Sequence, residues 1–518
     1  MYQVVSFFSK EPVTTNSFVF TSPDTPWEVL VDLNKAKQKI SLDAFKKDSP
    51  RLTKYLPLMP INKPEAFVTL QEMATPLLRS QALEKKLNCE LFFKLEGKNQ
   101  TGSFKDRGSA LEISVAKELG AKAIILASTG NMAASCACYA SKANIPCYIL
   151  VPEGVPMNKM AQVIAFGGRI VQIKGTYNDA AALAEKIARK MGFYLAGDYA
   201  FRIEGQKTAA FELADQFALD VPDVVIVPMG CGTNIAAYAK GFQEYYQLGL
   251  INKMPQMIGV EASGADAIVQ SFNKNEKTIT PLKSINTLAS AIAVPDPIDG
   301  IKALAAIYAT HGKAVSVTDQ AILEAQHLLA TSEGIFAETS SAATIAALEQ
   351  LKDQLQDKKV VCILTGDGLK DANIILKAST KPLTIYPDEN EFIRLYNTDF
   401  FASKHMIFAD KNKVLFTQSP SIDEINQHIN TIFSANYQNE YLERIKVMLD
   451  SILHKGKPIT ISDLQDCINE ALEAKSSHAH QVFSVLDYEV KSKKDHKSHA
   501  KITVDIDGLQ QQGEADGA

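Results

Sequence analysis

The chain has only seven cysteines in 518 residues, with no CxxC pair among them. That count is odd and low for a disulfide scaffold, and the spacing of a zinc ribbon is missing. No run approaches the ~18 consecutive apolar residues that a membrane helix needs. The opening residues, MYQVVSFFSKEPVTTN, lack a basic segment followed by an apolar core, so no secretory leader is expected. Positive charge is not in excess. The formal net charge is −5, which gives no general pull toward nucleic acid or acidic membranes. Of nine histidines only His311 and His327 precede residue 400, so a hydrolase triad resting on a histidine base is not expected there. No internal repeat recurs at a fixed period. Hydrophobic residues make up 46% and charged residues 22%, enough apolar surface to bury a large core and to exclude disorder for the bulk of the chain. These absences and this balance point to a large cytoplasmic protein with the composition of an enzyme.

Three stretches differ in texture. Residues 1–60 read as an irregular N-terminal extension, with Pro12, Pro23, Pro26, Pro50, Pro57 and Pro60 scattered through them. Residues 61–380 read as a catalytic domain of two lobes, the smaller at about 110–200. Within this domain, short β-branched runs alternate with Ala-rich amphipathic stretches. The runs are AIILAS (123–128), PCYILVP (146–152), GRIVQIKG (168–175), DVVIVPMG (223–230), MIGVEA (257–262) and KVVCILTG (359–366). Helical patterns such as NMAASCACYASKA (131–143) and YNDAAALAEKIARKMG (177–192) lie between them. That alternation predicts an α/β fold with parallel twisted sheets flanked by helices, whose ligands bind beyond the carboxyl ends of the strands. Residues 381–518, after Lys381-Pro382, read as an α+β extension. In it EYLERIKVMLDSILHKG (440–456) has helical spacing and AKITVDIDG (500–508) alternates like a strand.

Four loops carry residues suited to chemistry. Lys105 follows a Thr-Gly-Ser turn in TGSFKDRG and precedes the helical pattern LEISVAKELG (111–120). A helix N-terminus disfavours the ammonium form, which leaves an amine able to form a Schiff base with a carbonyl. An isolated lysine in that place is otherwise a solvated surface group. STGN (128–131) offers Ser128, Thr129 and Asn131 in a strand-to-helix turn, suited to a carboxylate or phenolic oxygen, or simply to an N-cap. Gly230, Cys231, Gly232, Thr233 and Asn234 form a Gly-rich loop between an apolar run and a helical pattern. This is a cradle for one phosphate, or a tight turn. It is neither a P-loop nor a dinucleotide fingerprint, since no Gly-Lys-Ser/Thr and no third glycine follow. Thr365, in LTGDGLKD (364–371), offers a neutral hydroxyl to a ring nitrogen, or is a turn threonine. Taken together, in one chain order, these are the parts that pyridoxal 5'-phosphate requires.

TGSFKDRG, ASTGN, the Gly-rich loop ending in Asn, FRIEGQKTAAFE (201–212), EGIF (333–336) and TGDGLKD resemble threonine synthase, of the tryptophan synthase β-like, fold type II group. LTKYLPLMP (52–60) and TPL (75–77) resemble that family's approach to its catalytic domain. The resemblance implies a two-lobed fold type II enzyme, a pyridoxal phosphate lyase making threonine and phosphate from O-phosphohomoserine and water. It implies Lys105 as the Schiff-base lysine, Asn131 at the cofactor's ring hydroxyl, Gly230 to Asn234 at its phosphate and Thr365 at its ring nitrogen. It further implies Ser128, Thr129 and Arg202 at the substrate, and a homodimer without metal.

Some positions depart from that pattern. Ala196 and Gly197 stand where the family carries Asn-Ser, Ala293 replaces an arginine, and Asp367 replaces a histidine. A threonine or serine dehydratase, a cysteate synthase-like β-replacement enzyme and a non-catalytic amino-acid sensor are therefore the rival readings. FSVLDYEV (483–490) with SHAKITVDIDGLQQQGEADGA (498–518) resembles the start of the regulatory domain of 2-isopropylmalate and citramalate synthases. That resemblance implies a branched-chain amino-acid effector. A plain extension that aids dimerisation fits the same residues.

Overall fold

A strand with no polar alternation is stable only where both of its faces are covered. Val224, Val225, Ile226 and Val227 are all fully buried. Val225 and Val227 enter one core, while Val224 and Ile226 enter another on the opposite side. Burying each such side chain contributes about 1.5–3 kcal/mol. In this computed structural model the described residues are 2–372, apart from 16, 23–24, 41–44, 46–51 and 73. Beyond these, they are 374–375, 387, 389, 392–393 and five strands between 408 and 516. The chain divides into two compact units, residues 1–371 and 372–518.

The strands of the first unit are β1 (Tyr2–Ser6), β2 (Trp27–Val31), β3 (Leu77–Arg79), β4 (Glu90–Leu95), β5 (Ile124–Ala127), β6 (Cys147–Pro152), β7 (Arg169–Ile173), β8 (Tyr194–Leu195), β9 (Val224–Pro228), β10 (Gln256–Ala262), β11 (Lys313–Val317) and β12 (Lys359–Leu364). A six-stranded sheet has the order β11-β10-β9-β12-β4-β3. It is parallel except for the edge pair β3–β4. A four-stranded sheet, β7-β6-β5-β8, is wholly parallel. It too has apolar cores on both faces, with Ile124 and Leu126 on one side and Ile125 and Leu195 on the other. All six expected runs are strands. GRIVQIKG forms the edge strand β7, whose residues are half-buried or exposed, because only one neighbour covers it.

The first sixty residues differ from the irregular stretch expected of them. β1 and β2 pair antiparallel, and Leu33–Lys39 is a helix capped by Asp32. Val19, Phe20, Val29, Tyr55 and Leu58 are buried in cores of the two sheets, so this segment is held by packing rather than by repeated pattern. In the second unit, Phe483–Ser492, Ser498–Ile506 and Leu509–Asp516 form a three-stranded antiparallel sheet, which includes residues 500–506 of the strand expected at 500–508. The helical pattern at 440–456 lies outside the described residues.

Candidate active site

The loops at the carboxyl ends of β5, β9 and β12 and the loop after β4 carry the residues singled out above. Lys105 is the first residue of the helix Lys105–Glu118, which starts six residues earlier than the apolar pattern suggested. The Thr101–Ser103 turn feeds straight into it. Gly102 takes the left-handed φ of +84° there, and the Asp106 carboxylate accepts from Thr101 N at 2.7 Å and from its hydroxyl at 2.6 Å. This turn is laced to the loop after β12. Phe104 N donates to the Thr365 carbonyl at 2.9 Å, and Asp367 N donates to the Gly102 carbonyl at 2.9 Å. The backbone thus brings Lys105 and Thr365 together across the sheet.

Thr365 is buried, and its hydroxyl lies 3.1 Å from the Ser341 hydroxyl. Gly366 N donates to the same Ser341 oxygen at 2.8 Å. Asn131 opens the helix Asn131–Ala143, and its Nδ2 donates to both oxygens of Glu338 at 3.1 Å each. Burial pushes the Glu338 carboxyl up to about 7, although Asn131 and the Lys370 ammonium pull it down. Ser128 is buried in the turn before Asn131, its hydroxyl 3.4 Å from Gly130 N, while Thr129 is half-buried.

The loop after β9 is built as a cradle. Gly232 has a φ of +84°, and a Cβ there would sit 2.8 Å from the Asp299 carbonyl, so no other residue fits. Thr233 and Asn234 open the helix Thr233–Gln247 beside Gly230 and Cys231. The Asn234 side chain is buried, and its Nδ2 has no hydrogen-bond partner among the described residues. An unpaired buried donor at a helix N-terminus suits an anionic ligand. The cradle and this free amide together fit the phosphate of pyridoxal phosphate.

Arg202 is placed differently from a ligand-facing arginine. It is fully buried, ion-paired with Glu112, and Nε donates to the Gly197 carbonyl at 2.9 Å. Nη1 donates to the Lys105 carbonyl at 3.3 Å. The guanidinium therefore ties down the turn that carries Lys105. Burial pushes the Glu112 carboxyl up to about 7, against the pull of Arg202. Gly197 has no room for a side chain, since a Cβ would lie 2.4 Å from the Tyr199 ring. Asp367 accepts from Lys98 at 2.8 Å, and Ala293 lies in the segment whose Ala291, Ile292 and Val294 pack against Gly230.

The sequence reading did not single out Asp198, Glu112, Glu338 or Ser341. Asp198 stood in the segment LAGDYAFRIEGQKT, but nothing local marks it, because its partner Lys105 is 93 positions away. Among the described residues no cluster of His, Cys, Asp and Glu could hold a metal ion, and no helix is long and apolar enough to cross a membrane.

Residues 68–366 match the family model described as pyridoxal-phosphate dependent enzyme. The chain belongs to that family, and its cofactor is pyridoxal phosphate. Its relatives include the threonine synthase of Methanocaldococcus jannaschii, 42% identical over 374 residues, which cover 71% of this chain and 92% of that protein. The threonine synthase of Methanosarcina acetivorans is 40% identical, over 67% of this chain and 87% of its own length. Among solved structures, threonine deaminase isoform 2 of Solanum lycopersicum is similar at 26% identity and a TM-score of 0.52. It covers 59% of this chain and 82% of its own.

Proposed function

We propose that this chain is a threonine synthase-type lyase that converts O-phosphohomoserine and water to threonine and phosphate. The observation that carries this reading is the identity of 42% to a threonine synthase over most of that protein, supported by the backbone lacing of the Lys105 turn to the Thr365 loop and by Asn131 bonding Glu338, whose own N–H donates to the Gly366 carbonyl of that loop. Gly230, Cys231, Gly232, Thr233 and Asn234 hold the cofactor phosphate, with the free Asn234 amide as one donor. Asn131 faces the ring hydroxyl, kept in orientation by Glu338. Thr365 faces the ring nitrogen, backed by Ser341. Bound there, the cofactor supplies an electron sink for charge developing at the substrate's α-carbon.

Lys105 binds the cofactor in the resting state and, once released, takes protons from the substrate's α- and β-carbons, delivers one to the γ-carbon that has lost its phosphate and returns one to the α-carbon. Ser128 and Thr129 bind the substrate's carboxylate end. The substrate's phosphate leaves from the γ-carbon, and water adds at the β-carbon. Arg202 is the residue assigned by resemblance to that phosphate, and its ties to Gly197 and Lys105 also make it a support of the site.

On the same reading the enzyme works in the cytoplasm as a homodimer. The six described cysteines, all free, support a reducing compartment. The resemblance of residues 483–490 and 498–518 supports reading the second unit as regulatory, with a branched-chain amino acid as effector. A substrate panel tests the reaction. Purified protein should release phosphate from O-phosphohomoserine with matching threonine. Ammonia from threonine or serine without phosphate release would assign a dehydratase instead.

A further inference from the structure

One carboxylate touches the lysine that the reaction turns on. Asp198 lies between β8 and the helix Ala200–Gln206, and its Oδ1 and Oδ2 are 3.0 and 3.3 Å from Lys105 Nζ. Its side chain is only 10% exposed, and that of Lys105 17%. A solvated surface pair of this kind would be worth little, but a pair shielded from water interacts strongly. We propose that Asp198 is a further catalytic residue, which holds the Lys105 nitrogen in place and stabilises its protonated state during proton transfer. This inference rests on the assignment of Lys105 as the cofactor-binding lysine.

The surroundings keep Asp198 charged. Burial alone would raise its carboxyl, but the Lys105 ammonium and the Arg202 guanidinium outweigh burial and leave it below the ordinary carboxylate range. Arg202 Nε lies 4.0 Å from Oδ1 on the other side. The remaining titratable groups facing it are Glu112 on the lysine's own helix, Cys231 in the cradle, Asp299, Tyr177 and the adjacent Tyr199. Burial pushes the Cys231 thiol and the Tyr177 hydroxyl up, raises the Glu112 carboxyl to about 7 and lifts the Asp299 carboxyl above its ordinary value, while Arg202 and Lys302 respectively pull these two carboxyls back down. Asp198 is the carboxylate in direct contact with Lys105, and Arg202 lies close to the same carboxylate.

The mechanism has a use for this arrangement. A lysine that takes a proton from carbon becomes an ammonium, and an anion already in contact with it lowers the barrier without reorganising. The same contact keeps the freed side chain over the substrate, because a long unpaired lysine would otherwise sample many rotamers.

The test uses the full-length holoenzyme, and its main readout needs no substrate. The absorption band of the lysine-bound cofactor is titrated with pH in wild type, Asp198→Asn and Asp198→Glu, and borohydride trapping identifies the lysine. Asp198→Asn should move the midpoint for loss of the protonated band down by about one to three pH units, the usual effect of an opposite charge in contact. Asp198→Glu should restore most of it, and the kcat profile should shift in parallel while KM changes less. An unmoved midpoint in a normally folded Asp198→Asn protein overturns the proposal and leaves the reaction assignment standing. Trapping at another lysine overturns both. A shifted midpoint in an enzyme that releases no phosphate from O-phosphohomoserine supports Asp198 and rejects only the reaction.

Discussion

Asn131 and Glu338 face each other across 207 positions of sequence, with Nδ2 at 3.1 Å from each carboxylate oxygen. The amide has two N–H bonds, and this contact decides which way it points. A carboxyl pushed up to about 7 by burial also makes the contact pH-sensitive. Glu338 binds its proton more tightly folded than unfolded, since its ordinary value is 4.5. Its contribution to stability is therefore complete below about pH 4.5 and is lost as pH rises toward about 7. Thermal midpoints of wild type and Glu338→Gln, measured across that window, should diverge in favour of the glutamine variant as pH rises. Parallel curves would show that Glu338 does not titrate there.

Lys105→Ala should remove both turnover and the absorption band of the lysine-bound cofactor while leaving the circular dichroism spectrum intact. Lys105 is at a helix start and part-exposed, so losing its side chain opens no core cavity. A variant with normal turnover would place the chemistry elsewhere.

Arg202→Ala should destabilise the fold by about 3–5 kcal/mol, because it strands the buried Glu112 carboxylate. Denaturant unfolding measures this directly. A loss below about 1 kcal/mol, together with a raised KM for a phosphorylated substrate, would mean that the guanidinium turns to the ligand in solution.

Much of this architecture could be read from sequence, for a physical reason. VVIVP and VVCIL are apolar at every position because helices cover both faces of their sheet, and such runs stand out. The candidate residues stood out because strand-end loops carry Gly, Thr and Asn in places where neither core nor surface requires them. The pairs that organise the site left no such trace. Lys105–Asp198, Arg202–Glu112 and Asn131–Glu338 span 93, 90 and 207 positions, and a polar contact across that distance has no periodicity. β1 and β2 were missed because five-residue strands amid prolines give too short an alternation to register.

Gly232→Ala should weaken cofactor retention. The position has φ +84°, and its Cβ would press on the Asp299 carbonyl at 2.8 Å. Forcing an L-residue into the left-handed region costs about 1–2 kcal/mol, roughly tenfold in affinity where the loop must hold that shape to bind. Absorbance titration with pyridoxal phosphate checks it, and an unchanged affinity would mean that the cradle does not hold the phosphate.

The second unit should be dispensable for the chemistry and required for its control. All of the candidate site residues lie before residue 372, within the unit of residues 1–371. An effector acts at a distance only by binding two states of the protein with different affinity. Isoleucine is the strongest candidate, because threonine is its precursor and accumulating product would signal sufficiency. Added isoleucine should change the activity of the full chain, and a chain ending at Asp371 should keep its cofactor and lose that response. Calorimetry gives an independent reading. Binding of isoleucine, leucine, valine or threonine to the full chain but not to the shortened one would place the effector site beyond residue 371. No binding of any of the four would end the sensing idea and leave residues 372–518 as an assembly element. Sedimentation of the two chains would then test that role by comparing their oligomeric states.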